Sequence, residues 1–261
     1  MAEFDSWQSY ETFAWSIKRK ARYVFDPQIQ KFLDTMLATS QGRRKNIPSG
    51  SVFWRGQQGH GWQTMSDEEM DVEIPAPFPP ERMKPLAHSA REGRVNPKGI
   101  PCLYLATDKD TAMAEVRPWL GLYVSVGQFR TLKELMIVDC SVSHASLQDW
   151  YFEEPNPKDR EKAVWAALDR AFSEPVNADD SIAEYAPTQV VAEVFRADGC
   201  DGVLYKSLLG KGLNIALFDA GAADLVNCFL YEPKAIAFTF EQIANPYFIK
   251  KNVRRKRESD A

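Results

Sequence analysis

Residues 101–119, PCLYLATDKDTAMAEVRPW, run from a strand-like LYLA through a polar turn into a short helix that carries Glu115 in a largely apolar setting. At about 100° per residue, Ala112, Val116 and Trp119 share one helical face, and Glu115 lies at its border, half-submerged. A carboxylate so placed is either an ordinary boundary residue paired with Arg or Lys, or a fixed negative charge facing a reacting group. Position alone leaves both readings open.

Other chemistries find less support. His60, His88 and His144 sit in unrelated contexts with no G-x-S-x-G beside them, which argues against Ser-His-Asp hydrolysis. LGKG at 209–212 falls short of a phosphate loop, because G-x-x-x-x-G-K-[ST] needs Gly at 205 and Ser or Thr at 212, where the chain has Tyr205 and Gly212. With no H-E-x-x-H and no Asp/Asn-rich calcium loop, no metal is expected. Cys102, Cys140, Cys200 and Cys228 form no C-x-x-C pair, so a reduced, cytoplasmic setting is expected rather than a zinc or redox site.

These residues must be positioned by a folded domain. The 261 residues are 44% hydrophobic and 12% aromatic, enough to bury a substantial core. A net charge of −4 gives no general reason to bind nucleic acid, and the basic run KKNVRRKRE at 250–258 reads as a solvated terminus. The first twenty residues lack the charged-then-apolar order of a signal peptide, and no run approaches the roughly 18 apolar residues of a membrane span.

Apolar spacings of three and four predict two helices within 5–40, parted near Asp26-Pro27. QGRRKNIPSG at 41–50 reads as a linker, and the acidic, proline-rich excursion at 66–85 as extended surface pieces. Strands are expected at 51–56, 102–107, 121–129, 134–141, 201–207, 212–219 and 235–240, and helices near 158–173 and 188–198. Thr107 to Asp110 carries a helix-start signal, and Pro118 limits the helix that follows. Strands dominate the second half without regular alternation with helices, which predicts an α+β fold. The expected organisation is a helical extension at 1–45, a catalytic domain at 46–245 and a basic tail at 246–261.

FWRG at 53–56, GRVNPKGIPCLYLATDKDTAMAEV at 93–116 and YAPTQVVAEVFRADGCDGVLYKSLLGKGLNIALF at 185–218 resemble, in order, the signature blocks of the RES domain family. Carried over residue by residue, the family's Arg, Glu and Ser match Arg55, Glu115 and Ser207 as catalytic residues, and Arg94, Asn96 and Tyr104 match as substrate-binding. Two departures stand out: the excursion lengthens the interval between Arg55 and Arg94, and residues 1–45 lie outside the usual core.

The resemblance implies a split, mostly antiparallel sheet similar to that of ADP-ribosyltransferases. It also implies cleavage of the nicotinamide–ribose bond of NAD by water or inorganic phosphate, in a toxin or defence effector. NAD is then a substrate and no cofactor is needed. Transfer of ADP-ribose to a macromolecule and a non-catalytic nucleotide-binding module are the alternatives. Implied partners are an antitoxin with a helix-turn-helix region and a second copy of the chain, with residues 1–45 and 66–85 as surfaces for either or as a cover for the core.

The chemistry of the residues agrees with that implication. Oxidised nicotinamide leaves as a neutral molecule, so no general acid is required. A carboxylate such as Glu115 can stabilise the oxocarbenium-like ribose. Arg55 or Arg94 can hold the diphosphate bidentately. The ring of Tyr104 can stack on nicotinamide or belong to the core, and the Ser207 hydroxyl can hold ribose or phosphate or be a plain turn serine.

Overall fold

The structure is a computed structural model that describes residues 2–67, 70–86, 89–146, 151–174, 182–237 and 239–242. The basic tail lies outside the described residues, as does His88.

The two N-terminal helices form where the spacing predicts them. Helix α1 (Ser9–Arg19) buries Tyr10, Phe13, Ala14 and Ile17, and α2 (Pro27–Ser40) buries Ile29, Phe32, Leu33 and Met36. Asp26 caps α2 by accepting from Ile29 N at 2.9 Å, and Pro27 follows at a position where its missing N–H costs nothing. Both helices share one core with α5 (Pro157–Ser173) and α6 (Ala186–Ala197), where Phe13 and Phe32 meet Trp165, Phe172 and Phe195. The segment expected to be a linker is instead a short 3₁₀ turn (Gln41–Arg43) followed by β1 (Arg44–Ile47), an edge strand paired with β7 (Leu135–Asp139). Its charges suit an edge, where side chains stay in water while the backbone pairs on one side.

The main sheet has eight strands in the order β1-β7-β8-β9-β5-β2-β6-β10. Besides β1 and β7 these are β2 (Val52–Gln58), β5 (Leu103–Ala106), β6 (Val124–Thr131), β8 (Gly202–Lys206), β9 (Leu213–Leu217) and β10 (Ala223–Tyr231). Only β7 and β8 run parallel, joined by the crossover that contains α5 and α6. The expected α+β class and mostly antiparallel sheet therefore stand. One face carries the helices; on the other, Phe53, Leu103, Leu105, Phe129, Ile137 and Ile215 close a second core with Met83 of the short helix α3 (Pro80–Met83). The excursion after β2 is a separate hairpin, β3 (Gly61–Asp67) with β4 (Met70–Ala76).

Two strand expectations shift. AIAFTF at 235–240 forms no strand among its described residues; the last strand is β10, which takes the edge beside β6 over eight residue pairs. Pro233 follows β10 without an N–H to offer a ladder. β10 was hidden in the sequence because Asp224 and Asn227 interrupt its apolar pattern, which an exposed edge tolerates.

The seam between β5 and β2 matters most for the site. β2 and β6 share seven residue pairs and β5 and β9 share four, but β2 and β5 share the single pair Trp54↔Ala106. Beyond that pair, towards Gln58 on β2 and Leu103 on β5, the two edges part, and the sheet opens where a cleft can form.

Candidate active site

Directly paired residues of a sheet point to the same face, so the site can be traced as a row across four strands. Trp54 pairs with Ala106, Ala106 with Asn214 and Asn214 with Tyr205. Two residues further along β2 and β5, Gly56 and Tyr104 continue the same face. A cavity of ≈ 420 Å³ lies over this row, with Arg55, Arg94, Glu115 and Tyr185 also in its wall.

Helix α4 (Lys109–Glu115) brings Glu115 to the cavity at its last residue. The start signal is used one residue late: Asp108 caps the helix, accepting from Thr111 N and Thr111 Oγ1, each at 2.8 Å. The helix ends before Pro118, and Trp119, expected on its apolar face, lies beyond it and is exposed. Gly56 allows α4 to rest directly on β2, because a Cβ there would strike the Ala112 carbonyl.

Among the described residues Glu115 has no Arg or Lys partner. Its Oε1 accepts from the Ser207 hydroxyl at 2.6 Å and from Asn214 Nδ2 at 2.7 Å. The Ser207 oxygen in turn accepts from Leu209 N at 3.2 Å and Gly210 N at 2.9 Å, so its proton is directed at the carboxylate. These contacts fix one oxygen of the carboxylate without neutralising it, leaving a preorganised negative charge at the cavity.

Arg55 is held differently. Its Nε and Nη1 are buried with no protein partner among the described residues, and burial pulls its pKa below the ordinary guanidinium value. A buried donor left unsatisfied costs about 1–3 kcal/mol, and more for a charged group. Arg94 donates from Nη1 to Phe172 O at 2.9 Å and lies beside the Tyr205 phenol, which burial pushes well above its usual pKa.

Tyr104 and Asn96 meet each other. The Tyr104 hydroxyl donates to Asn96 Oδ1 at 2.7 Å and accepts from Val95 N at 3.0 Å, and burial holds its pKa well above the usual phenol value. Asn96 is buried, and its amide nitrogen donates to the carbonyls of Arg91, Pro97 and Ile100. Asn96 therefore knits the 91–100 loop, while Tyr104 turns its ring to the cavity. The structure thus brings Arg55, Arg94, Tyr104 and Glu115 into the wall of one cleft, with Ser207 buried behind Glu115 and Asn96 behind Tyr104.

A model of the RES domain family matches residues 73–240. The chain belongs to the RES domain family. Arg94, Asn96, Tyr104, Glu115 and Ser207 lie within the matched stretch, and Arg55 lies ahead of it. Among solved structures, the crystal structure of the M. tuberculosis MbcT-MbcA toxin-antitoxin complex is similar, at 18% identity and a TM-score of 0.41 over 76% of this chain and 92% of that one. No curated protein matches.

The RES domain's cleft also holds residues that the sequence alone did not single out. Asn214 is the clearest, and its signal was present: one amide in the otherwise apolar strand LNIAL, spaced two from Ala216 on the face towards the helices. Arg117 lines the cleft in a left-handed backbone conformation, φ 46°, with its carbonyl accepting from Gln58 Nε2 at 3.2 Å. Nothing in the sequence marked it beyond Pro118 next door. Among the described residues no group of three His, Cys, Asp or Glu side chains is placed to hold a metal, and no helix is long and apolar enough to cross a membrane.

Proposed function

We propose that this RES domain protein is an enzyme that cleaves the nicotinamide–ribose bond of NAD, with water or inorganic phosphate as acceptor, and acts as a toxin or defence effector. The observation that carries this reading is Glu115, held by Ser207 and Asn214 rather than by a cation, in the wall of a cleft that also contains the unpartnered Arg55. As the bond to nicotinamide lengthens, the positive charge moves from the ring to the ribose. A fixed carboxylate stabilises that change more than it stabilises the ground state. The leaving group departs neutral, so a cleft without a positioned acid is chemically sufficient.

The remaining residues then take subsidiary roles. Arg55 donates to the diphosphate, the Tyr104 ring flanks nicotinamide, and Arg94 and Asn96 set the wall and loop against which the substrate lies. Incubation of the purified protein with NAD, followed by chromatography for nicotinamide, tests the reading. Release by wild type and its loss in Glu115→Gln support it, whereas an inactive wild type or a fully active variant overturns it. Product analysis with and without phosphate identifies the acceptor: free ADP-ribose, its 1″-phosphate or label fixed to a macromolecule.

A toxin of this kind requires restraint, and the family resemblance suggests a helix-turn-helix antitoxin as partner. The β3–β4 hairpin, separate from the main sheet and exposing Trp62, Met65, Met70 and Val72, supplies a surface for it or for a second copy. Copurification with and without the hairpin tests that assignment.

A further inference from the structure

Helix α5 carries a charge where its neighbours are apolar. Asp169 sits in the stretch WAALDRAF among Trp165, Leu168 and Phe172, and like them it is fully buried. Carboxylates almost never reach such positions unless they are paired. Burial raises the Asp169 pKa, although hydrogen bonds from Lys206 N and His144 act to lower it. Nothing in the cleavage chemistry touches this group, yet each of its oxygens is engaged.

Oδ1 takes the place of a missing strand. β8 outruns β7: their pairing stops at Asp139↔Leu204, and two residues further on the Lys206 N–H donates to Asp169 Oδ1 at 3.1 Å. The next residue is Ser207, whose hydroxyl donates to Glu115 Oε1. Oδ2 pairs with Nδ1 of His144, whose side chain reaches solvent. One turn further along α5, the Phe172 ring stacks on Tyr205 at 5.7 Å between centroids, and the Phe172 carbonyl holds Arg94. α5 thus backs the cleft through the end of β8, through Tyr205 and through Arg94. Resting on the reading of the Glu115 cleft as a site of NAD cleavage, we infer that Asp169 is a positioning residue for that reaction: it anchors the end of β8 so that Ser207 stays directed at Glu115, while His144 holds the anchor's second oxygen. What the anchor supplies is an acceptor at a fixed point. An amide oxygen serves Lys206 N as a carboxylate oxygen does, whereas an apolar side chain of similar size fills the space and accepts nothing.

The test compares the full-length wild type with Asp169→Asn and Asp169→Leu, reading nicotinamide release from NAD and hydrogen–deuterium exchange over 204–212. Asp169→Asn keeps an acceptor for Lys206 N and is expected to stay within about threefold of the wild-type kcat. Asp169→Leu is expected to lose about tenfold or more in kcat, with KM within about twofold, because a small misplacement near the reacting centre is felt mainly in the transition state. Exchange over 204–212 is expected to quicken in the Leu variant and not in the Asn variant. In a Ser207→Ala background, Asp169→Leu is expected to cost less than about twofold further, since both changes act through one hydroxyl. Wild-type kcat in Asp169→Leu overturns the inference, as does an Asn variant as impaired as the Leu variant, or full additivity with Ser207→Ala. Where Asp169→Leu does not fold, Asp169→Ala takes its place in each comparison. The exchange measurement needs no turnover: quickened exchange in the Leu variant alone, in a protein that releases no nicotinamide, overturns the cleavage reading and keeps Asp169 as the anchor of β8.

Discussion

At the scale of single residues, the cleft is organised around one carboxylate oxygen and the two donors aimed at it. Glu115→Gln keeps the side-chain volume and an oxygen for Ser207 and Asn214 but removes the charge. The expected outcome is a fall in nicotinamide release of roughly 10²–10³-fold, the size associated with losing one preorganised electrostatic group, at an unchanged melting temperature. Ser207→Ala acts differently, because the hydroxyl also accepts from Leu209 N and Gly210 N. Leaving those donors unmet is expected to cost about 1–3 kcal/mol, read as a lower midpoint in urea, in addition to any loss of activity. The sequence marked Ser207 as a hydroxyl near a sheet edge, but not that its proton is committed to Glu115.

At the scale of elements, α4 is short, and its placement rests on its first turn and on Gly56. Burial raises the Asp108 carboxyl, but hydrogen bonds from Thr111 and Thr107 outweigh it and hold the pKa below the ordinary value of 3.8. A depressed carboxyl contributes stability that is present above the unfolded value and is lost as pH falls through the folded one. Asp108→Ala is accordingly expected to cost about 1 kcal/mol near neutral pH, with the gap to wild type closing as pH drops below that range, measured by urea unfolding across pH. Gly56→Ala is expected to push α4 from β2, since the added Cβ meets backbone rather than a movable side chain. Activity should drop with it, read as nicotinamide release. The start of α4 was legible from Thr107–Asp110 to within one residue, whereas its close seat on β2 was not, because FWRG shows a glycine but not what lies above it.

At the scale of the whole molecule, α1 and α2 are packed into the same core as the helices of the crossover. Phe13 is fully buried and stacks on Phe32 at 4.6 Å between ring centroids, in one cluster with Trp165 and Phe195. Phe13→Ala is expected to destabilise the protein by about 3–5 kcal/mol, measured by chemical denaturation, because neighbours held by three other helices collapse only partly into the cavity. The helices themselves were readable from their spacing. Their attachment to the core, the edge strand formed by the presumed linker and the choice of β10 over AIAFTF were not, because each depends on a partner distant in the chain.

Taken by itself, the sequence determined what local periodicity and residue order encode: both N-terminal helices, α4 to α6, most strands of the large sheet, and the succession of Arg55, Arg94, Tyr104, Glu115 and Ser207. Tertiary structure alone decided that Glu115 meets Ser207 across 92 residues and Asn214 across 99, that Asn96 works behind the cleft, and that β2 and β5 part after a single pair beside Arg55. The physical reason is that a periodicity says which face of an element is apolar. The partner that a polar atom finds, or fails to find, is set by strand register and by the packing of elements far apart in the chain.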